Sequence, residues 1–271
     1  MFQVFLTIKI NIFQIGGFSM KEENCVLYHR QGNVGFITFN RPHRLNALNG
    51  PFLDDFIKQL IVAMKDDEAV TIVMTGAGRA FCAGEDLKET AEGKSFKQWV
   101  EEADKLQDIQ RLTLRLNKPL IGMVRGYAVG GGCEFALSCD FRVADTTAKF
   151  GFPETGIGLT ITQAGTKLAS AIVGLGKAKE LAFTGEFIDA EEAYRIGMVN
   201  YVVSPEELES KTLELCQKIG ERSPLSLRLT RCAFDQGLHA SFEQILEIET
   251  AHLMAVGGAQ NDQQYLEKWK K

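Results

Sequence analysis

Hydrophobic and polar positions along this chain follow two periods in turn. Val34-Gly-Phe-Ile-Thr-Phe39 is a short apolar run that predicts a strand, closed by Asn40-Arg-Pro42. Residues 44–49 read as a loop, and Asn49 can cap a following helix with Pro51 in its first turn. Phe52, Phe56, Leu60 and Met64 recur at helical spacing until Asp66-Asp67. Val70-Thr-Ile-Val-Met74 is nearly continuous in apolar residues, as in a strand buried on both faces, and a glycine-rich segment, 76–84, follows it. A charged helix is expected over 96–116, with Phe96, Trp99, Val100, Leu106 and Ile109 on its inner side and Pro119 as its stop. The strand Leu120–Val124 then leads through glycines into a helix ending at Leu137.

Further on, Phe141–Ala144 and Lys149–Phe152 read as short strands, 164–173 and 177–184 as helices, and 189–193 as the start of another helix. Val199–Val203 is the last expected strand. After Ser204-Pro205 the pattern turns wholly helical, over 205–220, 224–236 and 240–256. Strands that alternate with helices place the chain in the α/β class. The shift near 205 divides it into a core, 20–204, and a helical C-terminal region, 205–271.

Residues 1–19 stand outside this pattern. Phe2–Phe13 is apolar but interrupted by Lys9 and Asn11, with Gln14 beyond, so it does not supply the run of about 20 apolar residues that a membrane helix needs. Its charge lies inside the apolar stretch and no clear cleavage site follows, which makes it a poor signal peptide. The expectation is that the working chain begins at Met20 and that 1–19 has no role in the fold.

Composition narrows the function classes. Apolar residues make up 45% and charged residues 24% of 271, ordinary values for a globular protein with room for a substantial core. A net charge of −5 argues against nucleic acid as a principal partner, and no membrane association is expected. Six cysteines with no C-x-x-C pair read as free thiols in a reducing compartment, hence a cytoplasmic location. The four histidines show neither i,i+4 pairing nor H-E-x-x-H, so no metal site is expected.

The chemistry concentrates in three segments. Gly130-Gly-Gly132 lies where a strand passes into a helix, so bare backbone N–H groups can converge near the helix's positive end. Read alone, it could equally be a tight turn. It is not G-x-G-x-x-G, so a dinucleotide fold is not indicated. Glu134 follows it after Cys133, and Glu154 ends Phe150-Gly-Phe-Pro-Glu. Either glutamate by itself would read as a helix-start or turn residue. Together, beside backbone donors, two carboxylates can move protons next to a carbonyl. Upstream stands Thr75-Gly-Ala-Gly-Arg-Ala-Phe-Cys-Ala-Gly-Glu-Asp-Leu87.

Jointly these segments resemble the crotonase family of enoyl-CoA hydratases and isomerases, over about residues 25–256. The resemblance implies a crotonase-type ββα spiral core with an all-helical C-terminal oligomerisation region, in a homotrimer or in a homohexamer of paired trimers. It implies an acyl-CoA thioester substrate, with coenzyme A as part of the substrate and no separate cofactor. Carried over residue by residue, the oxyanion donors are the N–H groups of Glu85 and Gly131, the middle glycine of the triplet, and the acid/base pair is Glu134 and Glu154. Leu45, Ala47, Ala83, Asp86, Leu87, Lys88 and Gly130 are the implied substrate-binding residues. Arg44 and the Lys268/Lys270/Lys271 cluster are candidates for the nucleotide phosphates. The Glu85 carboxylate is awkward beside a developing oxyanion, so its side chain is expected to point away or to pair with Arg79 or Lys88.

Possession of both glutamates favours hydration of a 2-enoyl-CoA. Two readings stay open beside it, an isomerase of the same fold and a non-catalytic acyl-CoA- or RNA-binding homologue. The stretch Gly156-Ile-Gly-Leu-Thr-Ile-Thr-Gln-Ala-Gly-Thr166 departs from the family pattern, lacking its proline and carrying extra hydroxyls. In the family it borders the acyl pocket, so acyl-chain length and type are not read from the sequence.

Overall fold

A computed structural model describes residues 24–259 together with Tyr265 and Glu267. The expectations for 1–19 and for Lys268, Lys270 and Lys271 lie outside these residues. Two sheets carry the core. The larger holds six strands: β1 (Val26–Gln31), β2 (Val34–Phe39), β3 (Thr71–Gly76), β4 (Leu120–Val124), β6 (Phe141–Asp145) and β9 (Tyr201–Val203), neighbours in that order. Only its first pair is antiparallel, with Val26 opposite Phe39 and Gln31 opposite Val34. The remaining pairs are parallel. The smaller sheet runs β5 (Tyr127–Val129), β7 (Lys149–Gly151), β8 (Ile188–Asp189).

Two successive turns of the spiral each place one strand in the large sheet, the next in the small sheet, and then a helix or helical turn. Thus β4, β5 and α4 (Gly131–Leu137) follow in sequence, and β6 and β7 are followed by a 3-10 turn at Glu154–Ile157. The chain therefore delivers the end of β5 and the end of β7 side by side, since Tyr127–Val129 pairs in parallel with Lys149–Gly151. That register brings the two glutamate segments together.

The large sheet is buried on both faces, as its apolar runs require. On one face α1 (Gly50–Lys65) and α3 (Phe96–Arg115) pack over it. Asn49 caps α1 as expected, its side chain accepting from the Phe52 N–H at 3.1 Å. A cluster of phenylalanines fills this layer. Phe39, Phe52, Phe56 and Phe135 lie with ring centroids 5.0–6.3 Å apart, mostly tilted or edge-on. On the other face Val34, Phe36, Val73, Ile121 and Val143 meet Leu208 and Cys216 of α8 (Leu208–Gly220). The last helices, α9 (Pro224–Gly237) and α10 (Phe242–Gly258), follow. They bury no residue completely, and Phe234, Phe242, Leu253 and Met254 stand exposed.

Several local readings need correcting. β1 carries no expected strand, because its pattern mixes Tyr28, His29 and Arg30 with apolar residues at the sheet edge. A short helix, α2 (Leu87–Ala91), fills the interval before α3. Phe96 and Val100 are exposed and do not face inward. The buried face of α3 starts a turn later, with Leu106, Ile109, Gln110 and Thr113, where the helix crosses α1. A capping box of Ser95 and Gln98 starts α3. It ends at Arg115, before Pro119 is reached. All six cysteines are free. No helix among the described residues is long and apolar enough to cross a membrane.

Candidate active site

The two donor loops are built by close approach. Gly130 stands at the N-cap of α4, with a φ of 57° that suits glycine. Gly132 lies so near the preceding loop that a Cβ there would stand 2.1 Å from the Cys82 carbonyl oxygen. Phe135 then anchors α4 in the phenylalanine cluster and so fixes Glu134 beside it. The 83–86 segment is held from the other side by the loop 45–48. Ala83 N–H donates to Leu45 O (3.0 Å), Leu48 N–H to Gly84 O (2.8 Å) and Asp86 N–H to Leu48 O (3.0 Å).

Asn46 ties that loop down. It is fully buried, and its Nδ2 donates to Ala80 O (2.8 Å) and Ala77 O (3.0 Å) while its Oδ1 accepts from the Arg41 N–H (2.8 Å). Leu45 and Asn46 both have positive φ, 52° and 57°, a conformation that a leucine adopts only where its surroundings enforce it. Arg41 adds an ion pair to Asp86 at 3.0 Å.

Between these loops lies a cavity of about 340 Å³. Ala83, Glu85, Leu87, Gly130, Gly131, Glu134 and Glu154 all line it. The N–H groups of Glu85 and Gly131 have no acceptor among the described residues. A Cβ on Gly84 would stand 3.5 Å from the Gly131 nitrogen, so the two donor segments touch. Leu45, Ala47, Asp86 and Lys88 do not line the cavity. Ala47 and Asp86 are buried in the supporting loops, and Lys88 is exposed on α2.

The carboxylates differ in their surroundings. Glu134 is 1% exposed, and its Oε2 accepts main-chain N–H bonds from Gln163 (2.7 Å) and Gly165 (3.0 Å). Its Oε1 accepts from Thr162 at 3.3 Å. Burial pushes its pKa up to about 7; the three N–H groups oppose that rise and the charge of Glu154 adds to it. Glu154 is also buried, at the head of the 3-10 turn, and burial raises its pKa as well. Its Oε2 has no hydrogen-bond partner. Glu134 can therefore take up or release a proton near pH 7, in a cavity whose second carboxyl group, Glu154, also has a raised pKa.

Glu85 pairs with a cation, but with Lys94 in place of Arg79 or Lys88. After α2 the chain reverses at Gly93, with φ of 95°, and returns Lys94 to the Glu85 carboxylate. Lys94 also bonds Glu102 at 2.5 Å and lies 4.7 Å from the centre of the Trp99 ring. The acidic side chain next to the unpaired Glu85 N–H is thereby held by a cation from outside the cavity loops.

The remaining wall was not legible as site residues. Leu48, Trp99, Glu102, Leu106, Ile157, Leu159, Thr160, Thr162 and Gln163 complete it. Five of these, Ile157, Leu159, Thr160, Thr162 and Gln163, belong to the departing stretch 156–166, which the family resemblance sets at the border of the acyl pocket without naming single residues.

Comparison with known proteins agrees with this geometry. The family described as enoyl-CoA hydratase/isomerase matches residues 29–271. The chain is 40% identical over 235 residues to a short-chain-enoyl-CoA hydratase of Clostridium acetobutylicum, covering 84% of this chain and 88% of that one. It is 38% identical over 232 residues to a crotonyl-CoA hydratase of Syntrophomonas wolfei, covering 85% and 88%. Among solved structures, an enoyl-CoA hydratase from Bacillus anthracis superposes with a TM-score of 0.87 at 31% identity, covering 91% of this chain and 96% of that one. With the spiral fold, the paired donor loops and the two buried glutamates, these matches place the chain in the enoyl-CoA hydratase/isomerase family.

Proposed function

We propose that this protein is an enoyl-CoA hydratase that adds water across the C2=C3 bond of a 2-enoyl-CoA. The observation that carries the reading is one cavity with two buried carboxylates, Glu134 and Glu154, and two unclaimed main-chain N–H groups, those of Glu85 and Gly131. The thioester oxygen accepts from both N–H groups. That polarises the conjugated system and makes C3 electrophilic. Water then adds to C3, and its proton passes to the charged carboxylate. The electron pair of the double bond moves toward the thioester oxygen, where the two donors stabilise it. C2 takes its proton from the neutral carboxylic acid. One water is consumed, and the pair again holds one proton, moved to the other member.

The two N–H groups are fixed in place before substrate arrives, so little reorganisation is needed as charge develops. Acid/base chemistry of this kind calls for no metal or redox cofactor, and coenzyme A enters as part of the substrate. The thioester arm is read as passing along 45–48 and 83–88, where Leu45, Ala47, Asp86, Lys88 and exposed Arg44 adjoin the cavity-lining Leu48, Glu85 and Leu87. Remote binding there orients the reacting carbons. The exposed apolar residues of α9 and α10 support assembly into trimers, paired as hexamers, in the cytoplasm.

The test uses crotonyl-CoA, following loss of the conjugated enoyl-thioester absorbance and identifying the product by mass. Gain of one water, abolished in Glu134→Gln and in Glu154→Gln, is the expected result. Conversion of a 3-enoyl-CoA with no mass change, surviving one of the two substitutions, would replace this reading by an isomerase.

A further inference from the structure

Gln163 is a buried polar side chain that the proposed chemistry leaves unused. It is 1% exposed and lines the cavity. Its main-chain N–H holds Glu134 Oε2 at 2.7 Å, and its Nε2 donates to the Gly131 carbonyl oxygen at 3.5 Å. Its Oε1 is buried without a partner among the described residues. A carboxamide oxygen left bare in a desolvated site costs free energy unless a ligand supplies a donor.

The position of the carboxamide limits which donor that is. Its Nε2 meets the carbonyl oxygen of Gly131, the proposed oxyanion donor, while the main-chain N–H of the same residue holds Glu134, the proposed acid/base, in the cavity that all three line. A 2-enoyl chain offers no hydrogen-bond donor at C2 or C3. The pantetheine N–H groups leave from the sulfur, on the far side of C1. What remains is the oxygen that joins C3. Its water carries two protons, and one must pass to a carboxylate while the other must stay. The retained proton needs an acceptor that will not take it, and an amide oxygen is such an acceptor where a second carboxylate is not.

We infer that Gln163 touches the reacting oxygen, its Oε1 accepting the O–H that survives first in the water and then in the product's C3 hydroxyl. Gln163 is then a catalytic residue of this chain beyond the two glutamates, and it sets which lone pair of the water faces C3. The inference rests on the hydratase reading.

The experiment is kinetic. Gln163→Met keeps the side-chain length and removes the amide. The expected result is a fall of roughly 10- to 100-fold in kcat/KM, both for hydration of crotonyl-CoA and for dehydration of 3-hydroxybutyryl-CoA. The inhibition constant of butyryl-CoA, which has the same chain but no C3 oxygen, should stay within about twofold of the parent, since only the oxygen-bearing states lose a contact. Parallel weakening of butyryl-CoA binding and of turnover would assign Gln163 to packing and overturn the inference, as would unchanged turnover. If the methionine protein does not fold, Gln163→Leu serves for the same comparison. A parent protein that does not hydrate crotonyl-CoA at all speaks against the hydratase reading, whereas an active parent with an indifferent variant overturns only the role of Gln163.

Discussion

Glu134 and Glu154 face one cavity but are held in opposite ways. Glu134 rises from a helix anchored by Phe135 in the phenylalanine cluster and accepts three main-chain N–H bonds. Glu154 heads a single 3-10 turn, and its Oε2 meets no donor at all. One carboxylate is therefore over-determined in position, and the other keeps an open acceptor for something that must come with the substrate. Burial raises the pKa of both, and they differ in how firmly each is oriented. A pair of this kind can fix a water with one member and leave the other free to exchange a proton.

The largest expected effect comes from breaking the pair outright. Glu134→Gln and Glu154→Gln should each lower kcat for crotonyl-CoA hydration by about 10²–10⁴-fold, the usual contribution of a positioned acid or base. The double variant should be little worse than either single one, because residues that act as a unit are not additive. Steady-state kinetics of the three proteins decide this. A variant at either position that keeps more than a tenth of parental kcat would mean that the pair is not the acid/base unit.

A milder change tests the over-determination of Glu134 by itself. A Cβ on Gly165 would stand 2.6 Å from Glu134 Oε2 and 2.7 Å from its Cγ. Gly165→Ala must push the carboxylate away from its three donors while leaving Glu154 untouched. The expected loss is roughly 10- to 100-fold in kcat, the scale of a misplacement of about 1 Å. The inhibition constant of butyryl-CoA should change little. Equal losses in binding and turnover would mean that the cavity itself has collapsed.

A third change acts on neither carboxylate of the pair. Lys94 forms ion pairs with both Glu85 and Glu102, and Lys94→Met leaves both side chains without their cation at the cavity wall. An uncompensated negative charge next to the Glu85 N–H opposes the developing oxyanion. A fall in kcat of about 3- to 10-fold is expected, smaller than for Gly165→Ala because the N–H donors themselves stay in place. Rescue by Lys94→Arg, which restores the positive charge, would separate this electrostatic effect from lost packing against Trp99.

The contrast between the carboxylates also explains what the sequence disclosed. Glu134 and Glu154 were legible because each ends a distinctive local string, and because parallel pairing of β5 with β7 joins strings that are 20 residues apart in the chain. The strands of the large sheet were legible as apolar runs, since burial on both faces leaves no room for alternation. The edge strand β1 was not, because one side of it faces solvent and its composition is mixed. Gln163, Gly165 and Asn46 escaped for a different reason. Their roles depend on contacts with residues about 30 positions away, such as Gly165 with Glu134 and Asn46 with Ala77 and Ala80. No local period encodes such a meeting. The Lys94 pairing escaped because it depends on a chain reversal at Gly93, and spacing alone favoured the nearer Lys88.

The last effect is on stability instead of turnover, and its sign follows from the raised pKa values. An unfolded glutamate titrates near 4.5, whereas Glu134 in the fold titrates at about 7. Between those values the folded protein binds more protons than the unfolded chain, so this group's contribution is full below pH 4.5 and is lost as pH rises to about 7. The loss amounts to about 3 kcal/mol for a buried group, taken as an order of magnitude. Gln at 134 does not titrate. It also presents an amide N–H₂ where Glu134 accepts main-chain N–H groups, so the variant can start out less stable than its parent at low pH. The informative quantity is therefore the difference in Tm between Glu134→Gln and parent as a function of pH. That difference should move in favour of the variant from pH 4.5 to 7 and level off above, with the titrating groups that do not sense Glu134 cancelling between the two proteins. Glu154→Gln should move in the same direction, because burial raises the pKa of Glu154 too. A difference that stays flat for Glu134→Gln across this window would give Glu134 an ordinary carboxylate pKa, and the pair would then carry no shared proton at neutral pH.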